Sequence, residues 1–238
     1  MNVLLSVGKL LVFSPHLDDA VLSCGEMLAQ HAGAEVVTVF AALPQSGAPL
    51  TRWDAASGFH SAQEALAKRW QEDDAALTLL SAHPVRLDFC DSQYDATPSQ
   101  QDLSDHLHQL LQRADADTVM LPAGLFHSDH ILLHQALMAI RHSHPGKMWL
   151  MYEDALYRRI PGLLQQRLSF LERGGVRATP LEFLHDERMR MLKRQAVSCY
   201  ASQLRALTNA ANGYADVFMQ ERYWLLAANE AGRVAGGK

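Results

Sequence analysis

The chain has 238 residues with a formal net charge of -5, 48% of them hydrophobic and 20% charged. That length suits one large or two small domains around a sizeable core, and a single domain over residues 1–238 is the expectation. The composition excludes disordered and fibrous classes, no Lys/Arg run marks a nucleic-acid binder, and no apolar run reaches the ~18 residues of a membrane span.

The stretch Met1 to Ser14 is apolar but short, has no basic leading region and carries Lys9 in its middle, so it is expected to be a first strand and not a signal peptide. Its end, Leu10-Leu11-Val12-Phe13, and the β-branched run Val36 to Phe40 read as buried strands. Between them, Asp18 to about His31 has apolar residues at Val21, Leu22, Met27 and Leu28, acidic residues in its first turn and Gly33 beyond its end, which predicts a helix. Strand, helix and strand make a βαβ unit with parallel strands and a right-handed crossover.

Pro44 to Gly58 reads as a long loop that shapes a pocket. A helix is expected over Ser61 to Ser81, a strand at Val85 to Cys90, a helix from Asp102 to about Ala114 and a strand at Thr118 to Pro122. A helix over Asp129 to Arg141 and a strand at Met148 to Tyr152 follow. The expected class is α/β, a Rossmann-like open, mostly parallel sheet with helices on both faces, whose ligands sit beyond the carboxyl ends of the strands. From about Ile160 the pattern loosens into an appendage of the same domain. It contains a polar helix from His185 to about Leu207 and a frayed tail ending Gly236-Gly237-Lys238. The apolar last third leaves room for a homo-oligomer interface. Cys24, Cys90 and Cys199 form neither a CxxC pair nor a disulfide framework, which fits a reducing, cytoplasmic setting.

Two clusters carry chemistry. Pro15-His16-Leu17-Asp18-Asp19 follows the first strand, and His127-Ser128-Asp129-His130 follows the fourth. Taken alone, the acidic pair is a helix N-cap and the HxxH fragment a polar helix start. On a parallel sheet both emerge at one edge, where two histidines and a carboxylate with one position left open form the ligand set of a catalytic zinc site. Iron, cobalt or manganese suits the same donors. His134 follows His130 by four and is expected to pack or to support a ligand. His31, His60, His83, His106, His108, His142, His144 and His185 have no partner at ligand spacing and are expected to be solvated or structural.

These two motifs resemble the P-H-P-D-D and H-x-D-H signatures of the PIG-L/LmbE-like family of de-N-acetylases. Weaker similarity runs through Arg69-x-x-Glu72, Asp88 to Asp91, Tyr152-Glu153-Asp154 and Tyr200-Ala201-Ser202-Gln203. The resemblance implies that His16, Asp19 and His130 hold zinc, that Asp18 is the general base and that His127 protonates the leaving amine, while Asp129 orients an imidazole. Leu17, Ala20 and Ser128 depart from the family's usual residues, as does the lack of a proline after Tyr152-Glu153-Asp154, so the substrate-facing wall is expected to differ.

By the same resemblance the substrate is a small glycoconjugate carrying an N-acyl, first of all N-acetyl, amino sugar. Arg69 and Asp91 are candidates to hydrogen-bond its hydroxyls. Trp53, Phe59 and Tyr94 either stack on it or pack in the core. Two other readings stay open: a metal-dependent phosphoesterase, which needs a second metal's ligands, and a non-catalytic sugar- or nucleotide-binding domain, which leaves Asp18 and His127 without a task.

Overall fold

The computed structural model describes residues 7–94, 96–182, 186–208 and 213–228. The residues before Val7, the tail at Gly236-Gly237-Lys238 and His185 lie outside them, and with them the expectations placed there. One seven-stranded sheet runs in the order β3-β2-β1-β4-β5-β7-β6, built from β1 (Leu10–Ser14), β2 (Glu35–Thr38), β3 (His83–Arg86), β4 (Thr118–Pro122), β5 (Met148–Tyr152), β6 (Val176–Leu181) and β7 (Tyr223–Ala228). The first five are mutually parallel, and β7 joins β5 antiparallel, followed by β6. This is the expected open, mostly parallel α/β sheet.

Alternation along the strands feeds two cores. Leu10, Val12, Val36, Met120, Leu150 and Tyr152 face helix α1 (Asp19–Gln30), the end of α3 (Ala62–Leu79) and α7 (Glu187–Ser198). Leu11, Phe13, Val37, Val119, Leu121, Trp149 and Met151 face α4 (Gln100–Arg113), α5 (Ser128–Ile140) and α6 (Leu163–Arg173). The sheet is therefore covered on both sides, as parallel strands require.

Several expectations are corrected. The third strand lies at His83–Arg86, ahead of the expected Val85 to Cys90, because the chain leaves the sheet after Arg86 and returns only as a bridge from Asp88 to Phe40. The 44–58 loop contains a short helix, α2 (Arg52–Ala56), capped by the Thr51 hydroxyl, which accepts from Asp54 N at 3.0 Å. The last third supplies α6, β6 and β7. Its polar helix breaks at Cys199 and Tyr200 into α7 and α8 (Ala201–Thr208).

The last third is tied to α1 through a buried pair. Cys24 leaves helical geometry (φ -131°, ψ 19°), and the N–H groups of Glu26 and Met27 donate to the Glu221 carboxylate at 2.9 and 3.2 Å. Lys193 Nζ meets the same carboxylate at 2.6 Å, with both side chains almost fully buried. Gly25 leaves the space for Lys193, since a Cβ there would lie 2.6 Å from the lysine chain. Among the described residues, no helix is long and apolar enough to cross a membrane.

Candidate active site

Strand β1 has β2 on one side and β4 on the other, so the chain direction around the sheet reverses between β1 and β4. The carboxyl ends of those two strands open the crevice in which doubly wound sheets bind ligands. Both sequence clusters stand there.

The β1–α1 junction is shaped by its own side chains. Ser14 Oγ accepts from Ala20 N at 3.0 Å and donates to the His16 carbonyl at 2.7 Å, while Asp19 Oδ2 accepts from His16 N at 3.0 Å. These bonds hold Asp18 at φ 144°, a conformation that costs a non-glycine residue about 1–3 kcal/mol. Although Asp18 occupies the N-cap position, its carboxylate makes no capping bond and instead lines the cavity. The plain N-cap reading of the acidic pair therefore does not describe Asp18. Burial, reinforced by the neighbouring Asp19, raises its pKa well above the usual carboxylate range.

His16 and His130 converge on one oxygen. His16 Nδ1 and His130 Nε2 each lie 3.1 Å from Asp19 Oδ2, and the ligand atoms of the three residues all fall within 4.8 Å of one another. Each ring is fixed from behind. His16 Nε2 meets Asp129 Oδ2 at 2.9 Å, and His130 Nδ1 meets Asp154 Oδ1 at 2.6 Å. Asp129 is held in turn by Ser92 N at 3.1 Å, and Asp154 by Leu125 N at 2.9 Å. For His130, burial works against the charge but Asp19 and Asp154 outweigh it, lifting the pKa to about 9. His16 is likewise raised, because Asp91, Asp129 and Asp19 overcome its burial. Asp19, despite burial, is held far below its ordinary range by His130 and His16.

This arrangement fits a divalent cation. Two imidazoles oriented from outside by carboxylates, sharing one carboxylate between them, is the pattern of first ligands and their supports in metal sites. A second trio, His16, His127 and Asp129, also has its donors within 4.8 Å. It shares His16 with the first, and its Asp129 oxygen already orients that ring. Among the described residues there is thus one centre, without the separate second cluster that the phosphoesterase reading needs.

His127 is the N-cap of α5. Its Nδ1 accepts from Asp129 N at 3.2 Å, which puts the proton of the neutral ring on Nε2 and leaves that nitrogen for the cavity. Burial and the neighbouring His16 and His130 lower its pKa.

The cavity has a volume of about 360 Å³. Arg69 lines it but is 7% exposed and donates through Nη2 to buried Asp54 at 2.7 Å, while its Nε has no hydrogen-bond partner. Asp91 lines it too, 3.8 Å from His16 Nε2, and accepts from Gln93 N at 2.9 Å and Gln93 Nε2 at 2.8 Å. Trp53 and Tyr94 reach the cavity, whereas Phe59 is buried elsewhere. Tyr94 donates to Asp54 at 2.8 Å and Trp53 to Gln203 at 2.8 Å.

His134 is a buried packing residue whose Nδ1 meets the Pro122 carbonyl at 2.8 Å. Its pKa is pushed down to about 3, first by burial and then by Arg167. A depressed folded-state pKa stabilises the protein above the unfolded value of ~6.5, and the gain is lost as pH falls toward 3. At ~1.4 kcal/mol per unit this removes about 2 kcal/mol by pH 5. His134→Gln is expected to narrow the difference in unfolding free energy between pH 7 and pH 5 by that amount; equal slopes in chemical denaturation would contradict it. Of the histidines expected to stand alone, His108 on α4 and His144 meet at 3.0 Å.

A switch-point crevice holding a histidine–carboxylate cluster beside a carboxylate that caps no helix is the kind of site a hydrolase on an α/β sheet carries. The PIG-L family model, GlcNAc-PI de-N-acetylase, matches residues 11–141, and the chain belongs to that family. It is 31% identical over 168 residues to the 2'-N-acetylparomamine deacetylase of Streptomyces fradiae, a match that spans 63% of this chain and 58% of that protein. Among solved structures it resembles the zinc-inhibited form of teicoplanin deacetylase Orf2, with 25% identity, TM-score 0.78, and coverage of 93% of this chain and 99% of that one. It also resembles the A40926 pseudoaglycone deacetylase Dbv21, with 27% identity, TM-score 0.73, and coverage of 94% and 99%.

Proposed function

We propose that this chain is a metal-dependent amidohydrolase that removes an N-acyl, first of all an N-acetyl, group from an amino-sugar conjugate, and that His16, Asp19 and His130 hold the metal. The observation that carries the reading is the convergence of His16 and His130 on Asp19, each ring anchored from behind, beside the free carboxylate of Asp18. Its similarity to the 2'-N-acetylparomamine deacetylase and to teicoplanin deacetylase Orf2 supports the amino-sugar class. Zinc is the first candidate, given imidazole and carboxylate donors.

When bound, the ion supplies Lewis-acid activation of water and of the amide carbonyl. Asp18 takes the proton from the attacking water, and its raised proton affinity suits a group that must hold that proton briefly at neutral pH. The carbon–nitrogen bond then breaks as the nitrogen receives a proton, giving carboxylate and free amine. His127, neutral with its proton on Nε2, donates a hydrogen bond to the carbonyl oxygen as that atom gains charge. Protonation of the amine by His127, the role implied by resemblance, requires a second proton on Nδ1 and loss of the bond from Asp129 N, so Asp18 is the better carrier of the proton to nitrogen. Arg69 and Asp91 face the sugar hydroxyls.

The test is release of primary amine from a panel of N-acyl glucosamine conjugates by zinc-loaded protein. Release is expected from at least one N-acetyl conjugate, abolished by a chelator and restored by zinc. A metal-loaded protein that releases amine from none of them overturns the amino-sugar assignment.

A further inference from the structure

Phe126 is the residue before His127 and lines the cavity, yet it is 63% exposed. Its φ is 63°, in the left-handed region. That conformation costs an L-residue about 1–2 kcal/mol, and a ring left in water gains little burial to offset it. The position is imposed by its neighbours: Leu125 N donates to Asp154 at 2.9 Å and His127 N to the Leu125 carbonyl at 2.7 Å. The loop that orients His130 through Asp154 thereby pushes an aromatic ring to the cavity mouth.

The ring does not stand alone. Tyr157 lies 5.4 Å from it, tilted by 38°, and Tyr157 in turn sits edge-on to His130 at 5.3 Å. Leu156 and Ile160 come from the same segment after β5 and line the same cavity. The loops after β4 and β5 thus contribute an apolar wall, while α3, the segment after β3 and α8 contribute Arg69, Asp91, Gln93 and Gln203. A sugar's hydroxyls suit the polar residues. Exposed apolar groups at the rim of a cleft mark a binding surface, and a cavity of about 360 Å³ is near the lower end of ligand pockets, about 300–1,000 Å³. A substituent extending from the amino sugar toward the loops after β4 and β5 meets this rim.

We infer that Phe126, backed by Tyr157, Leu156 and Ile160, is a specificity determinant that recognises an apolar substituent on the amino-sugar substrate. The inference rests on the deacylase reading and deepens it. The substituent is carried either on the anomeric oxygen or as a lengthened acyl chain, and the experiment separates the two.

The variants are Phe126→Asn, because asparagine tolerates left-handed backbone, and Phe126→Tyr, which keeps the ring. Kinetics and calorimetric affinity are measured on N-acetylglucosamine, phenyl N-acetyl-β-glucosaminide and N-octanoylglucosamine. Phe126→Asn is expected to lose about tenfold more, in KM and in affinity, on one substituted ligand than on the plain sugar, and Phe126→Tyr to restore most of it. Loss confined to the phenyl glycoside places the substituent at the anomeric end; loss confined to the octanoyl amide places it on the acyl chain. Equal loss on all three ligands, no loss on either substituted one, or no preference of the parent protein for either in binding overturns the inference. Failure to release amine from any ligand sinks the deacylase reading instead, while the affinities still decide the role of Phe126.

Discussion

Asp18→Asn is expected to slow amine release by about 10²–10⁴-fold, the usual contribution of a positioned base, with the bound metal retained. The substitution removes a proton acceptor and little else. Asp18 makes no capping bond and lies outside the His16–Asp19–His130 trio, so neither α1 nor the proposed metal ligands lose a partner. Asparagine has nearly the size and shape of aspartate, so the substitution sets no new bulk against the turn held at φ 144°. Single-turnover rates with metal content measured on the same samples decide the matter. An unchanged rate would remove Asp18 from the chemistry, and loss of metal would make it a ligand.

The second large effect concerns Asp19. Its Oδ2 accepts from His16 N at 3.0 Å and lies 3.1 Å from both facing imidazole nitrogens. Asp19→Asn replaces the one anion of the proposed ligand trio with a neutral amide, and the expected result is loss of the divalent ion at micromolar metal, with activity falling in parallel. Asp154→Asn is the graded comparison. It weakens the support behind His130 without altering a proposed ligand, and removal of such partners costs ~10–100-fold in affinity or activity. Metal titration should therefore rank the parent protein, Asp154→Asn and Asp19→Asn in descending affinity. Metal binding by Asp19→Asn as tight as the parent's would point to the trio of His16, His127 and Asp129.

The parallel sheet and the meeting place of the two clusters at the candidate site were legible because each rests on local signals: continuous apolar runs for β1, β2, β4 and β5, and polar clusters directly after β1 and β4. What escaped depends on distance in space. Asp154, which fixes His130, lies 24 positions away. Its signal was available, since Tyr152-Glu153-Asp154 ends β5 as the two clusters end β1 and β4, yet only pairing of β4 with β5 turns it toward His130. Arg69 could be picked out, but its neutralisation by Asp54 follows from a short helix hidden in a loop-like composition. Strand β6 is an edge strand, half exposed and containing Pro180, so it carries no apolar run. Strand β7, Tyr223–Ala228, is apolar enough but too short to be told from buried helix by periodicity.

The Glu221 clamp on α1 separates two kinds of unit that sequence comparison tends to merge. The family signature ends at residue 141, but the helix that starts with the proposed ligand Asp19 has its broken turn mended by a carboxylate 195 positions from Glu26. A shortened chain ending at the signature would keep every proposed metal ligand and lose the group that completes the helix beginning at Asp19. What is inherited as a recognisable motif is therefore smaller than what must fold together, and grafting the motif onto another sheet would require carrying that distant carboxylate, or a substitute for it, along.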